Sequence, residues 1–167
     1  MDEAQRLVDL IPRLRRYARA LVGERAGADD LVQDTLERAW SKLHLYRRGT
    51  DLRAWLFTVM HNVHVNKLRA ARPTDPLEDG MPELAQRAQQ TDALLVRDLD
   101  RAIARLPADQ RAVLLLVTLE EMSYDEVART LGIPIGTVMS RLSRAREKLR
   151  AMTMGQTPPA AKLKVVK

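Results

Sequence analysis

Five side chains near the carboxyl end of the sequence combine hydroxyl and basic groups at helix-like intervals. They are Thr137, Ser140, Arg141, Arg144 and Lys148. Because residues three or four positions apart share a face of an α-helix, these groups would form one polar stripe. Arginine can pair bidentately with guanine in the major groove of DNA, and a small hydroxyl can approach a phosphate or a base edge. The spacing predicts a helix that reads duplex DNA.

The flanking residues predict that this helix is the second of a helix-turn-helix spanning 123–150. Its apolar stripe would pack inward, and that stripe consists of Val138, Leu142, Ala145 and Leu149. Upstream, Ser123 can cap a short helix, and Gly132 tolerates the positive φ that often ends one. Pro134 cannot continue one hydrogen-bonded run into the next. The alternative is that the basic residues form an ordinary solvated helix face.

A second group of candidate residues surrounds a polar segment at 46–51. Its members are Tyr46, Arg47, Arg48 and Arg53. An aromatic ring beside several arginines can hold an unstacked base together with phosphates, so single-stranded nucleic acid is a candidate ligand. An ordinary charged surface loop is the alternative.

An acidic and amide-bearing face lies on the predicted helix 28–43, which Asp29 or Asp30 could cap. Gln33, Asp34 and Glu37 lie opposite the apolar stripe of this helix. Such a face usually serves solubility, but on a basic protein it could equally meet a basic protein partner.

The composition limits the possible partners and sites. The chain has 167 residues, 46% of them hydrophobic, and a formal net charge of +6, which favours polyanionic partners. It contains no cysteine, which excludes disulfides and thiolate metal sites, and its three histidines lack a metal-binding pattern. We therefore expect no metal and no other cofactor. No apolar run reaches the roughly 18 residues of a membrane span, and Asp2 and Glu3 disfavour a signal peptide. We expect a cytoplasmic protein without membrane insertion.

Helical periodicity recurs along the chain, whereas no strand-rich region is apparent. The fold class is therefore expected to be all-α, with two small helical domains joined by a flexible linker and the helix-turn-helix in the second domain. Prolines and a glycine among acidic residues and glutamines mark the linker. The expected boundaries are 1–72 for the first domain, 73–91 for the linker, 92–152 for the second domain and 153–167 for a flexible tail.

Three separated stretches carry a resemblance to a known family. They are ADDLVQDTLERAW at 28–40, LRAWLFTVMHNVHVNKLR at 52–69, and LPADQRAVLLLVTLEEMSYDEVARTLGIPIGTVMSRLSRAREKLR at 106–150. In this order they resemble the sigma-70 family of RNA polymerase sigma factors, in its small extracytoplasmic-function subgroup. The resemblance implies a DNA-binding specificity factor that is not an enzyme.

The resemblance also implies which surfaces contact promoter DNA. The first domain would melt and read the minus-ten element, with the loop at 46–53 capturing a flipped base and Asn62, Asn66 and Arg69 on the adjoining helix. The second domain would read the minus-thirty-five element, with the contacts assigned to Ser140, Arg141 and Arg144.

Core RNA polymerase and an anti-sigma factor are the protein partners that the resemblance implies. Gln33, Asp34 and Glu37 would meet the clamp coiled coil of the largest polymerase subunit. An anti-sigma protein would hold the factor inactive by packing its domains together or wedging between them. Two alternatives remain open: a sigma-like decoy that occupies an anti-sigma factor, and a dimeric helix-turn-helix repressor, which would leave the first half without a purpose.

Overall fold

The computed structural model describes residues 2–71 and 91–154, with side chains described from 96 onward in the second range. These residues form seven α-helices, a short 3-10 helix at Leu43–Leu45 and no strand, which confirms the all-α prediction. The helices are α1 Glu3–Val22, α2 Arg25–Ser41, α3 Leu52–Ala71, α4 Thr91–Ala104, α5 Ala108–Thr118, α6 Tyr124–Leu131 and α7 Ile135–Met154. The expected linker, apart from its last residue, and the expected tail beyond Met154 lie outside the described residues.

Helices α1, α2 and α3 form the first unit. The buried face of α1 repeats at helical spacing and includes Leu7, Leu14 and Leu21, so burial of this stripe drives its packing onto α2 and α3. The ring of Tyr17 meets that of Phe57 on α3 edge to face, with 5.1 Å between the ring centroids.

The start of α2 differs from the prediction that Asp29 or Asp30 would cap it. The helix begins at Arg25, and the Glu24 carboxylate accepts a hydrogen bond of 3.2 Å from the Gly27 N–H. Glycine permits this approach, since a Cβ at position 27 would lie 2.8 Å from Glu24 Oε1. The capping prediction was wrong because an upstream carboxylate satisfies the amino end of the helix first.

Helices α4 to α7 form the second unit, and its helix-turn-helix is confirmed. Ser123 accepts a hydrogen bond of 3.1 Å from the Glu126 N–H, while the Glu126 carboxylate accepts one of 2.8 Å from the Ser123 N–H. This reciprocal capping box starts α6. Gly132 ends α6 with φ 69°, and α7 begins at Ile135.

The two units are in direct contact. Helix α1 packs against α4 and α5, and α3 packs against α6. Arg111 on α5 donates a hydrogen bond of 2.7 Å to the Leu21 carbonyl near the end of α1. Within the described ranges, no helix is both long and apolar enough to cross a bilayer.

Candidate nucleic-acid interface

The polar face of α7 presents three of its five predicted donors to solvent. Ser140, Arg144 and Lys148 are exposed, whereas Thr137 is half-buried and its carbonyl accepts a hydrogen bond of 3.3 Å from the Ser140 hydroxyl. Val138, Leu142 and Ala145 of the same helix are buried and fix its orientation. The exposed side chains lie at spacings of four and are free of the core, as a groove-reading helix requires.

Arg141 is placed differently from the rest of the polar stripe. Its side chain is 29% exposed, and its Nε lies 3.5 Å from Asp109 Oδ2 on α5. Burial lowers the pKa of His61 on α3, and the nearby Arg141 guanidinium lowers it further. Arg141 therefore points toward the junction between the two units.

The loop before α3 is closed from within by its aromatic residue. Tyr46 is 7% exposed, its ring lies 5.5 Å from that of Trp55, and its hydroxyl donates a hydrogen bond to the Thr50 carbonyl. The sequence suggested that this ring could stack on an unstacked base. In this arrangement the ring is part of the core and is not presented to a ligand, because packing on Trp55 and bonding to Thr50 stabilise it inside.

The arginines of this region have different surroundings. Arg47 is exposed, and Arg48, whose side chain is 85% exposed, places its Nε 2.8 Å from Glu3 Oε2. Arg53, on the first turn of α3, is only 20% exposed and donates a hydrogen bond of 2.7 Å to the Glu120 carbonyl of the second unit. Arg48 and Arg53 thus contact protein groups where the prediction assigned them to DNA, whereas Arg47 stays exposed.

The remaining minus-ten candidates lie on the exposed surface of α3. Asn62, Asn66 and Arg69 are exposed and lie four and three residues apart on α3, so they share one face. This face occupies the second half of α3, toward its carboxyl end, whereas the loop at 46–51 precedes the amino end of the helix.

The acidic face of α2 is divided between solvent and α3. Gln33 and Glu37 are exposed, whereas the carboxylate of Asp34 lies 2.6 Å from Lys67 Nζ. Lys67 Nζ also lies 2.7 Å from Asp30 Oδ2. The hydrogen bond to Asp30, followed in size by the one to Asp34, raises the pKa of Lys67. Part of the negative charge on this face is therefore already compensated.

The outer side of α2 carries an exposed tryptophan that the sequence analysis did not single out, and a groove runs between α2 and α3. Trp40 is 62% exposed, and Leu45 just beyond it is 66% exposed. In the sequence, Trp40 follows Glu37 by three positions and falls outside the buried stripe of α2. This position could have predicted that the tryptophan is exposed beside the acidic face. The groove is lined by Asp34, Glu37, Arg38, Ser41, Val63, Asn66, Lys67 and Ala70.

No metal-binding arrangement accompanies these surfaces. Among the side chains that the structure describes, at 2–71 and 96–154, no three histidines or carboxylates are grouped so that they could hold an ion.

Two family models match the chain in sequence order. Residues 7–61 match the model described as the Sigma2 domain of PhyR, and residues 97–149 match Sigma-70, region 4. The first match covers α1, α2 and the first half of α3. The second runs from within α4 to the last turns of α7 and includes the helix-turn-helix as far as Leu149.

Curated proteins extend the similarity over most of the chain. The ECF RNA polymerase sigma factor EcfG of Rhodopseudomonas palustris (strain TIE-1) is 38% identical over 144 residues, which are 85% of this chain and 80% of that protein. The ECF RNA polymerase sigma factor SigM of Mycobacterium tuberculosis is 37% identical over 138 residues, which are 81% of this chain and 69% of that protein.

Solved structures show the same fold. The sigma factor RpoE from Bartonella quintana, in a co-crystal with the anti-sigma factor NepR, matches with a TM-score of 0.77 and 34% identity over 93% of this chain and 98% of that one. CnrH, in complex with the cytosolic domain of CnrY, matches with a TM-score of 0.67 and 26% identity over 92% and 88% of the two chains.

Proposed function

This chain belongs to the family of ECF RNA polymerase sigma factors, and from that membership we propose that it binds core RNA polymerase and directs transcription from specific promoters. Members of this family regulate transcription and are not enzymes. The observation that supports the proposal most is the exposed row of Ser140, Arg144 and Lys148 on a capped helix-turn-helix that matches region 4. A factor that works on polymerase and DNA would act in the bacterial cytoplasm, which is the location we propose.

Run-off transcription with core polymerase tests this function directly. Genomic fragments of the source bacterium serve as templates, and the factor should produce transcripts from a small subset of them. Arg144→Ala should reduce that selectivity, while Arg105→Ala, an exposed arginine before α5, should not. If the wild-type factor added no transcripts beyond those of core polymerase alone, the proposal would be wrong.

We place the polymerase contact on the outer face of α2, with Gln33, Asp34 and Glu37 joined by Trp40. An exposed tryptophan beside charged residues is a common anchor of protein interfaces. Reversal of Asp34 would set a second cation beside Lys67 and disturb the contact between α2 and α3, so Glu37 is the cleaner site for a charge reversal.

Glu37→Lys and Trp40→Ala should therefore weaken association with core polymerase while leaving the thermal unfolding midpoint unchanged. The charge reversal should act mainly on the association rate and on its salt dependence, and the tryptophan truncation on dissociation. Glu147→Lys on the exposed side of α7 carries the same charge change and serves as the control. Wild-type binding by both α2 variants would remove this face from the polymerase interface.

We propose that Asn62, Asn66 and Arg69 contact the minus-ten region together with Arg47, an exposed arginine of the loop. Asparagine side chains on one helix face can bond base edges, and Arg69 can bond a phosphate. Permanganate footprinting of the melted region would test the assignment. An unchanged footprint with Asn62→Ala and Asn66→Ala together would contradict it.

An anti-sigma protein is the proposed regulator. The Bartonella RpoE structure contains the anti-sigma factor NepR, and this chain shares its fold and 34% of its sequence. We propose that the inhibitor binds the arrangement in which the two units touch, which would draw the population away from polymerase. Small-angle scattering should then give a shorter separation of the units on the inhibitor than on polymerase. Equal separations would contradict this mechanism.

A decoy that occupies an anti-sigma factor is the second candidate. The match of residues 7–61 to the Sigma2 domain of PhyR supports this candidate, because PhyR of Bartonella quintana is described as an anti-anti-sigma factor in its complex with NepR. A decoy would bind the inhibitor yet fail in the run-off assay, so that assay separates the two functions. The same match gives the first unit a role that a helix-turn-helix repressor would leave unexplained.

A further inference from the structure

One carboxylate of the second unit is buried among three arginines of the first unit. Glu120 follows the end of α5 and its side chain is 0% exposed. Its oxygens lie 3.2 Å from Arg13 Nε, 3.6 Å from Arg16 Nη2 and 3.8 Å from Arg53 Nη1. Arg13 and Arg16 come from α1 and Arg53 from α3, so the three guanidinium groups converge from two helices.

The Glu120 carboxylate is a poor occupant of this position. Among the described residues, none donates a well-aligned hydrogen bond to either of its oxygens. Burial raises the pKa of Glu120, and this effect exceeds the opposing attraction of the three arginines. Removing a carboxylate from water can cost more than an ion pair returns, and the raised pKa of Glu120 has this direction.

The arginines keep unused capacity for an anion. Arg13 is 42% and Arg16 58% exposed, so both can reach solvent while directed at Glu120. Arg16 and Arg53 bind backbone carbonyls of Leu119 and Glu120 at 3.1 and 2.7 Å, contacts that last only while the units touch. Three guanidinium groups therefore face one buried carboxylate. Glu126 adds little negative charge to this cluster, because its carboxylate lies 4.0 Å from Arg53 and already caps α6.

We propose that Arg13, Arg16 and Arg53 form a binding site for one phosphate of the nucleic-acid backbone, and that Glu120 fills this site while the two units are in contact. The inference rests on the proposed function, because it places promoter DNA beside the loop at 46–51. A phosphodiester offers the acceptor oxygens and negative charge that convergent guanidinium groups bind, and it stays partly hydrated.

Exchange of the two anions would couple DNA binding to separation of the units. When a phosphate enters, Glu120 returns to water and regains its hydration, so the exchange recovers the cost of its burial. DNA then favours the arrangement in which the units are apart, and contact between the units disfavours DNA by the same free energy.

Salt titration of DNA binding measures the phosphate contact. The probe is a fluorescein-labelled, mixed-sequence DNA duplex with an internal single-stranded bubble, titrated with the full-length chain. Arg13→Gln with Arg16→Gln should raise Kd several-fold and flatten the plot of log K against log salt by roughly 0.7 to 0.9, the slope of one phosphate. The matched control is Arg15→Gln with Arg19→Gln, two exposed arginines of the same helix, which removes the same charge. Arg16→Gln alone, at the more exposed position, serves if the double variant does not fold.

A distance measurement separates this role from a merely structural one. The chain has no cysteine, so Ser41→Cys and Ala108→Cys, both exposed, can carry a fluorophore pair that reports contact between the units. DNA should lower the transfer efficiency of the otherwise wild-type chain. If the arginine variant lowered the efficiency without DNA but kept the salt slope of the control, the arginines would only join the units and the inference would be wrong.

Run-off transcription distinguishes failure of this inference from failure of the proposed function. A variant with the control's salt slope and normal promoter-dependent transcripts would refute the phosphate site and leave the sigma function standing. Absence of transcripts from the wild-type factor would refute the function itself.

Discussion

The helix-turn-helix and the loop before α3 were both expected to read DNA, but their basic side chains are presented in opposite ways. On α7, Arg144 and Lys148 extend into solvent. Beside the loop, Arg48 pairs with Glu3, and Arg53 reaches across to the second unit. The first surface can meet DNA as it stands, whereas the second must exchange protein partners for DNA.

The difference follows from how each surface is oriented. The buried stripe of α7 sets Ser140, Arg144 and Lys148 outward, because these residues lie away from the other helices of the second unit. Arg53, just after the loop, lies where the two units meet, so it finds a carbonyl and two carboxylates of the other unit, whereas Arg48 pairs with Glu3 of its own unit. Regulation through separation of the units would therefore act on the loop region more than on Arg144 and its neighbours.

Arg111 joins the two units that carry these regions, and its loss should give the largest effect. Its guanidinium donates hydrogen bonds of 2.6 to 3.0 Å to four carbonyls, which belong to Leu21, Ile103, Ala104 and Leu106. Arg111→Met would leave these partly buried acceptors without their donor, so we expect a loss of about 3 kcal/mol in the free energy of unfolding. Urea denaturation measures it, with exposed Arg144→Met as the control within about 0.5 kcal/mol. Equal midpoints would show that Arg111 does not join the units.

DNA discrimination should separate Arg144 from Arg141 on the same helix. Arg144→Ala should cost about 1 to 3 kcal/mol of preference for the matched upstream element, the value of a bidentate base contact. Arg141→Ala should cost less in the free factor, because Arg141 must first leave Asp109. Lys148→Ala should weaken matched and scrambled sequences alike.

Footprinting on matched and scrambled promoters checks these three variants. Asp109→Asn provides the control, since it frees Arg141 without changing α7. Equal discrimination by wild type and the Arg144 variant would show that the exposed face of α7 is not the reader.

Acid should weaken the fold through His64, which lies on α3 near the second unit. Its pKa is lowered from 6.5 to about 4, chiefly by burial and in smaller part by the charges of His61 and Arg111. Because the folded protein binds this proton less readily than the unfolded chain, stability is complete above about pH 6.5 and is lost as the pH falls toward 4. The loss should be roughly 1 to 2 kcal/mol, after allowance for partial exposure.

Urea midpoints across this pH range measure the loss. His64→Gln should flatten the profile between pH 6.5 and 4, whereas His44→Gln, at an exposed position, should not. A profile unchanged by His64→Gln would assign the acid sensitivity to other groups.

The smallest effect should come from the ion pairs between α2 and α3. Lys67 bridges Asp30 and Asp34 at a partly exposed position, so Lys67→Met should cost about 0.5 kcal/mol at low salt and less at high salt. Thermal melts at two ionic strengths would check it. A loss that salt does not reduce would indicate packing rather than charge.

The sequence by itself determined the elements whose causes are local. The cap at Ser123, the turn at Gly132 and the buried stripe of α7 depend on residues within four positions of each other, so periodicity and capping rules predicted them. The same rules failed at the start of α2, where Glu24 competes with Asp29 and Asp30 for the capping role.

Only the tertiary structure decided what the charged side chains do. Arg53 bonds a carbonyl 67 positions away and Arg16 one 103 positions away, and no local pattern signals either contact. Glu120 looks like a surface acid in the sequence and becomes the most buried charge of the junction only because α1, α3 and α5 meet there. Helix formation depends on near neighbours, whereas the partner of a long charged side chain depends on which surfaces the packed helices bring together.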